Sequence, residues 1–82
     1  MPVTFKLYAS LMVYLPPEAK RHAVTLEVPE GTAPIQLLER YGVPLADVHL
    51  LLVNGVFLPP SQRHRPLEAG DTLAVWPAVA GG

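Results

Sequence analysis

The run Leu50-Leu51-Leu52-Val53-Asn54-Gly55-Val56-Phe57-Leu58 decides how the rest of the chain is read. Two apolar segments flank Asn-Gly, and a type I′ turn needs two residues that tolerate positive φ, so the stretch predicts a tight β-hairpin. Leu50 to Val53 is apolar at every position, which suits a central strand covered on both faces. Pro59-Pro60 end the second strand. Downstream, Ala69-Gly70-Asp71 predicts a turn and Thr72 to Trp76 a last strand, with Leu73 and Val75 opposite Ala74 and Trp76. Upstream, Val3, Phe5 and Leu7 alternate with Thr4, Lys6 and Tyr8, the period of a half-buried strand. Ala23 to Val28 alternates likewise, with Val24, Leu26 and Val28 on one side. The connection Ser10 to Lys20 is long and apolar for a turn, and Leu11 and Leu15 are expected to tuck beneath the sheet.

Between these strands, Pro29-Glu30-Gly31 predicts a turn and Thr32 an N-cap, with Pro34 in the first helical turn, where its missing N–H costs little. Ile35, Leu37, Leu38 and Tyr41 then supply an apolar stripe, and Gly42 provides the left-handed residue that stops a helix. One helix of two to three turns follows, and Pro44 to Val48 reads as a short turn. The order strand, strand, helix, strand, short strand, strand gives an α+β roll of four or five strands with one helix to cover one face.

Composition narrows the functions open to such a chain. At 82 residues it has room for one thin core and no large enclosed site. Hydrophobic residues make up 50% and charged residues 16%, the reverse of a disordered chain. The net charge of -1 provides no basic field for nucleic acid. The start, Met1-Pro2-Val3-Thr4-Phe5-Lys6, lacks a signal core, and no apolar stretch approaches a membrane span, so a cytoplasmic protein is expected, with no membrane partner. With no Cys there is no disulfide, thiolate zinc site or cysteine nucleophile. His22, His49 and His64 lack metal-ligand spacing and read as ordinary surface histidines, so no metal is expected. The carboxylates are unpaired, and Ser10 and Ser61 lack the glycines of a nucleophile elbow.

Three further features carry more. Arg63-His64-Arg65 is a local basic cluster and reads as a solvated loop, with docking of an acidic partner as the functional alternative. If Leu7 and Val75 face the core, Tyr8 and Trp76 project from the opposite side, where Phe57 joins them. Aromatics on a helix-free face mark a protein contact. The end, Pro77-Ala78-Val79-Ala80-Gly81-Gly82, has no charge and no bulky polar group, and is expected to be an extended, mobile tail (78–82) on a folded domain (1–77). Glycines lack a Cβ, so such a tail can thread a narrow tunnel and present an α-carboxylate. That carboxylate is ionised at neutral pH and becomes attackable only as a mixed anhydride such as an acyl-adenylate.

Several segments together resemble a known family: Lys6-Leu7-Tyr8-Ala9, Val28-Pro29-Glu30-Gly31-Thr32, Leu52-Val53-Asn54-Gly55, Leu67-Glu68-Ala69-Gly70-Asp71, and Val75 to Gly82. From about residue 3 to the end, the chain resembles the ubiquitin-like sulfur-carrier family that includes the molybdopterin synthase small subunit and the thiamine-pathway sulfur carrier. The resemblance implies a β-grasp (ubiquitin-like) roll with a mixed sheet, and a co-substrate rather than an enzyme. It further implies that an E1-like, ATP-dependent enzyme adenylates Gly82, that a thiocarboxylate forms there, and that a synthase subunit accepts the sulfur. Gly81 and Ala80 would thread the tunnel, and Tyr8, Phe57 and Trp76 would contact the activating enzyme; no cofactor would be bound. A Cys-free chain can carry sulfur only on its terminal carbonyl, which agrees. Molybdopterin-type carriers commonly have an Arg-Glu pair where this chain has Met12-Val13-Tyr14, whereas its tail is nearer the molybdopterin type than the thiamine type. The alternatives are a protein modifier conjugated through Gly82, and a plain binding module using the aromatic face.

Overall fold

The computed structural model describes residues 1–78. Five strands form one sheet: β1 (Pro2–Leu7), β2 (Ala23–Glu27), β3 (Leu50–Val53), β4 (Val56–Phe57) and β5 (Thr72–Trp76). Their order across the sheet is β2-β1-β5-β3-β4. The β1–β5 pair is parallel and the other pairs are antiparallel, so the sheet is mixed. One helix, α1 (Pro34–Arg40), and 3₁₀ turns at Ala9–Tyr14, Leu45–Asp47 and Pro60–Gln62 complete the elements among the described residues.

Strand alternation sends one set of side chains into a single core. Val3, Phe5 and Leu7 of β1, Leu73 and Val75 of β5 and Leu51 of β3 are buried with Leu37 and Leu38 of α1. Phe5 also packs against Tyr41, with ring centroids 5.5 Å apart. Each such side chain contributes about 1.5–3 kcal/mol by leaving water. In the β1–β2 connection, Leu11 is fully buried and Leu15 packs at the core's edge, as expected, while the backbone around them winds into a 3₁₀ turn.

The Asn54-Gly55 turn forms as predicted, with φ of +52° and +81°. Asn54 does more than tolerate that geometry. Its Oδ1 accepts the Thr72 N–H and its Nδ2 donates to Asp71, each at 2.8 Å, while the other Asp71 oxygen accepts the Glu68 N–H. The hairpin tip is thereby fastened to the turn that launches β5.

Three expectations change. Thr32 does not cap α1: its hydroxyl donates to the Pro29 carbonyl at 2.7 Å and closes the preceding turn. Ala33 occupies the N-cap position, and the Gln36 side chain accepts the Ala33 N–H at 2.8 Å. Pro34 already removes one unpaired donor there, so less capping is needed. Second, β3 lies between β5 and β4 but is not buried on both faces: Leu51 enters the core, whereas Leu50 and Leu52 are half-buried on the face opposite the helix. Third, Arg63 is not part of a solvated patch. It is buried, its Nε–H donates to the Leu58 carbonyl at 3.0 Å, and its own carbonyl accepts the Ile35 N–H, fixing the exit of β4 to the start of α1. Burial lowers its pKa from the ordinary arginine value. His64 and Arg65 remain exposed and do not form a patch with it.

Gly42 ends α1 at φ +75°, with Gly42 N–H donating to Glu39 and Val43 N–H to Leu38, a Schellman motif. Replacing Gly42 with Ala forces a Cβ into left-handed backbone and should cost about 1–2 kcal/mol in urea unfolding. Phe5→Ala should cost about 3–5 kcal/mol, because Phe5 is fully buried. Val13→Ala, 79% exposed, should change stability by less than about 0.5 kcal/mol.

Candidate partner-binding face

The parallel register of β1 and β5 sets Leu7 beside Val75, and the Tyr8 N–H donates to the Val75 carbonyl at 3.1 Å. Tyr8 therefore stands next to Trp76, one step along both strands and on the side away from the helix. Their rings stack with centroids 4.3 Å apart and planes within 3° of parallel. Ala9, at φ +52°, then turns the chain into the 3₁₀ segment. On the far side of Tyr8 the His22 ring stacks at 4.6 Å and 27°. His22 reaches this position because Arg21-His22 form a tight turn, bracketed by reciprocal bonds between Lys20 and Ala23, and the His22 carbonyl accepts the Leu7 N–H.

The remaining open-face residues follow from pairing. Trp76 lies opposite Leu50, Ala74 opposite Leu52, and Leu52 opposite Phe57, so all five project to one side. Phe57 is 51% exposed at the sheet edge. Tyr8 and Trp76 are thus in direct contact, whereas Phe57 is two strands away and joined to them through Leu50 and Leu52. The result is an apolar surface running from β1 to β4, with the Tyr8–Trp76 stack where β5 ends. Pro77 is half-buried and Ala78 exposed just beyond it. Ala80, Gly81 and Gly82, predicted to thread a partner and to react, lie outside the described residues.

Aromatic stacking of this kind contributes about 0.5–1.5 kcal/mol beyond area burial. Elsewhere, the His49 backbone N–H donates to the Trp76 carbonyl, Ser10 and Ser61 are exposed in 3₁₀ turns, and His64 is exposed in the turn that follows Arg63. Among the described residues, no group of three or more His, Asp or Glu could hold a metal ion, and no helix is long and apolar enough to cross a membrane.

With this geometry, comparison with known proteins becomes specific. A family model described as Mut7-C ubiquitin matches residues 1–81. The chain belongs to the Mut7-C ubiquitin family. The ubiquitin-like resemblance drawn from the sequence motifs therefore holds over nearly the whole chain. Solved structures share the fold across all or nearly all of both chains. SAMP1 from Haloferax volcanii is 22% identical, covers 100% of both chains and has a TM-score of 0.72. A Pyrococcus furiosus protein assigned as molybdopterin converting factor subunit 1 is 21% identical, with 95% of this chain and 98% of that one covered and a TM-score of 0.66. A chain from the Helicobacter pylori complex of molybdopterin-converting factor subunits 1 and 2 is 16% identical, with full coverage of both and a TM-score of 0.62. No curated protein sequence matches the chain. These neighbours are ubiquitin-like β-grasp proteins, and the five-stranded mixed sheet with one helix is that fold.

Sequence reading missed two parts of the face of this ubiquitin-like chain. Leu50 and Leu52 could have been found by continuing the parity argument from Trp76 across a hairpin. His22 had no comparable signal, because its position depends on where the Lys20–Ala23 turn closes. Tyr8→Ala should expose Trp76, shift its fluorescence emission to the red and reduce its near-ultraviolet circular dichroism, with a stability loss of about 1 kcal/mol. An unchanged Trp76 spectrum would contradict the stack.

Proposed function

We propose that this chain is a small sulfur carrier, a co-substrate rather than an enzyme, whose Gly82 carboxylate is adenylated and then converted to a thiocarboxylate. The carrying observation is positional. The Tyr8–Trp76 stack lies where β5 ends, six residues before Gly82, so a partner seated on the open face is within reach of the segment that holds the two glycines. Family membership and the shared fold with molybdopterin converting factor subunit 1 support the same reading.

In this account an ATP-dependent, E1-like enzyme docks on Tyr8, Phe57 and Trp76 and takes Gly81 and Ala80 into a narrow channel. The Gly82 carboxylate attacks the α-phosphate of ATP, pyrophosphate leaves, and an acyl-adenylate forms. A hydrosulfide equivalent then attacks the carbonyl carbon, the bond to AMP breaks, and sulfur remains on the chain. With no Cys in the chain, this carbonyl is the position available to carry it. The thiocarboxylate sulfur attacks a precursor held by a synthase subunit; water then attacks the Gly82 carbonyl carbon, the bond from that carbon to sulfur breaks, the sulfur stays on the precursor and the carboxylate is restored. The H. pylori structure, a complex of subunits 1 and 2, supports a synthase partner and favours molybdopterin over thiamine as the pathway. The protein itself binds no cofactor; ATP is consumed by the activating enzyme, in the cytoplasm.

The test is ATP–pyrophosphate exchange catalysed by adenylating enzymes from the same organism. Exchange should require this chain and disappear when Gly82 is deleted, with the unfolding midpoint unchanged. Exchange that persists without Gly82 would overturn the proposal, and Gly-Gly remnants on cellular lysines without any thiocarboxylate would instead assign a protein modifier.

A further inference from the structure

Charge on the open face is segregated along the strands. Lys6 lies opposite Ala23, and Ala23 is bridged to Lys20 across the Arg21-His22 turn. Paired residues project to the same side, so Lys6 and Lys20 flank Ala23 on the open face. Exposed Arg21 occupies the turn beside them, and the His22 ring stacks on Tyr8. Three of the chain's six Lys and Arg residues thus gather at the corner of the sheet where β5 ends. The carboxylates are distributed the other way. Glu27, Glu30, Glu68 and Asp71 belong to the end where β2 finishes and β1 and β5 begin, and Glu39 is on α1. Near the cationic corner are Glu18, which shares a shallow groove with Lys20, and Asp47. Among the described residues, Lys6, Lys20 and Arg21 form no ion pair.

We infer that the partner of the aromatic face carries a strip of carboxylates beside its apolar pocket, aligned with Lys6, Lys20 and Arg21. The inference rests on the reading of that face as a docking site and adds the chemistry and orientation of what docks there. Apolar residues form the centre of the patch and cations its border, the arrangement of a protein interface with a polar rim. Three cations without a channel are too few to hold a phosphate backbone, which favours an acidic protein over nucleic acid. Rim charges mainly steer encounter and fix orientation, and here they bind the partner's acidic side at the end of the sheet from which the chain leads to Gly82.

The probe is the adenylating enzyme identified by chain-dependent pyrophosphate exchange, and the readout is its association rate by stopped flow. Between about 50 mM and about 500 mM salt the wild-type rate should fall roughly tenfold or more, as expected for steered encounter. The double variant Lys20→Glu/Arg21→Glu should associate about tenfold more slowly at low salt and lose most of this dependence. Arg40→Glu/Arg65→Glu changes net charge equally away from the corner and should follow the wild-type curve. If the two double variants behave alike, the acidic-strip inference is wrong. In that event, weakened binding of Phe57→Ala, a change at an exposed edge position, would show that the docking face itself stands. Wild-type binding by both Phe57→Ala and Tyr8→Ala would overturn the face and the strip together. Tighter binding of the cationic corner to duplex DNA than to the enzyme would assign it to nucleic acid and contradict the inference.

Discussion

β1 and β5 lie side by side and parallel, with Thr4, Phe5, Lys6 and Leu7 paired to Thr72, Leu73, Ala74 and Val75. Antiparallel neighbours can be joined by a two-residue turn, whereas a parallel pair needs a crossover, and here the whole chain from Tyr8 to Asp71 lies between the two strands. The helix, the β3–β4 hairpin and the Arg63 anchor are all parts of that connection. The pairing puts Phe5 and Leu7 beside Leu73 and Val75, four fully buried side chains at the centre of the core. On the other face the same register sets Tyr8 against Trp76. One backbone arrangement therefore produces both the interior and the aromatic surface.

Much of this was legible because it depends on local chemistry. Alternation located β1, β2 and β5, Asn54-Gly55 located the hairpin, and Gly42 located the end of α1. Parity along β1 and β5 assigns Tyr8 and Trp76 to the helix-free face, and the register of the hairpin adds Phe57 to it. What escaped depends on contacts distant in sequence. An unbroken run such as Leu50 to Val53 fits both a strand between two layers and a strand with one apolar open face, and periodicity does not separate them. Arg63 reads as a surface charge until the loop folds back so that its Nε–H meets the Leu58 carbonyl. Thr32 sits where a cap is expected, but its hydroxyl has a nearer acceptor in the Pro29 carbonyl.

The face and its charge have a common logic. A chain with a core this small has little interior in which to build a catalytic site, and its chemistry is instead proposed to reside on its last residue, completed by a partner's active site. That division of labour requires a partner to recognise the fold and to receive the right end of it. In the proposed account, apolar contact with Leu50, Leu52, Phe57 and Trp76 would meet the first requirement, and the cationic corner formed by Lys6, Lys20 and Arg21 would give direction.

The intact mass of the protein isolated from its own cells under sulfur-replete conditions decides whether Gly82 carries sulfur. The account predicts a chain ending at Gly82, with a fraction heavier by the exchange of one oxygen for one sulfur, and fragmentation that localises the difference to Gly82. A chain that continues past Gly82, or one that never carries sulfur there even when its activating enzyme is present in excess, would contradict it.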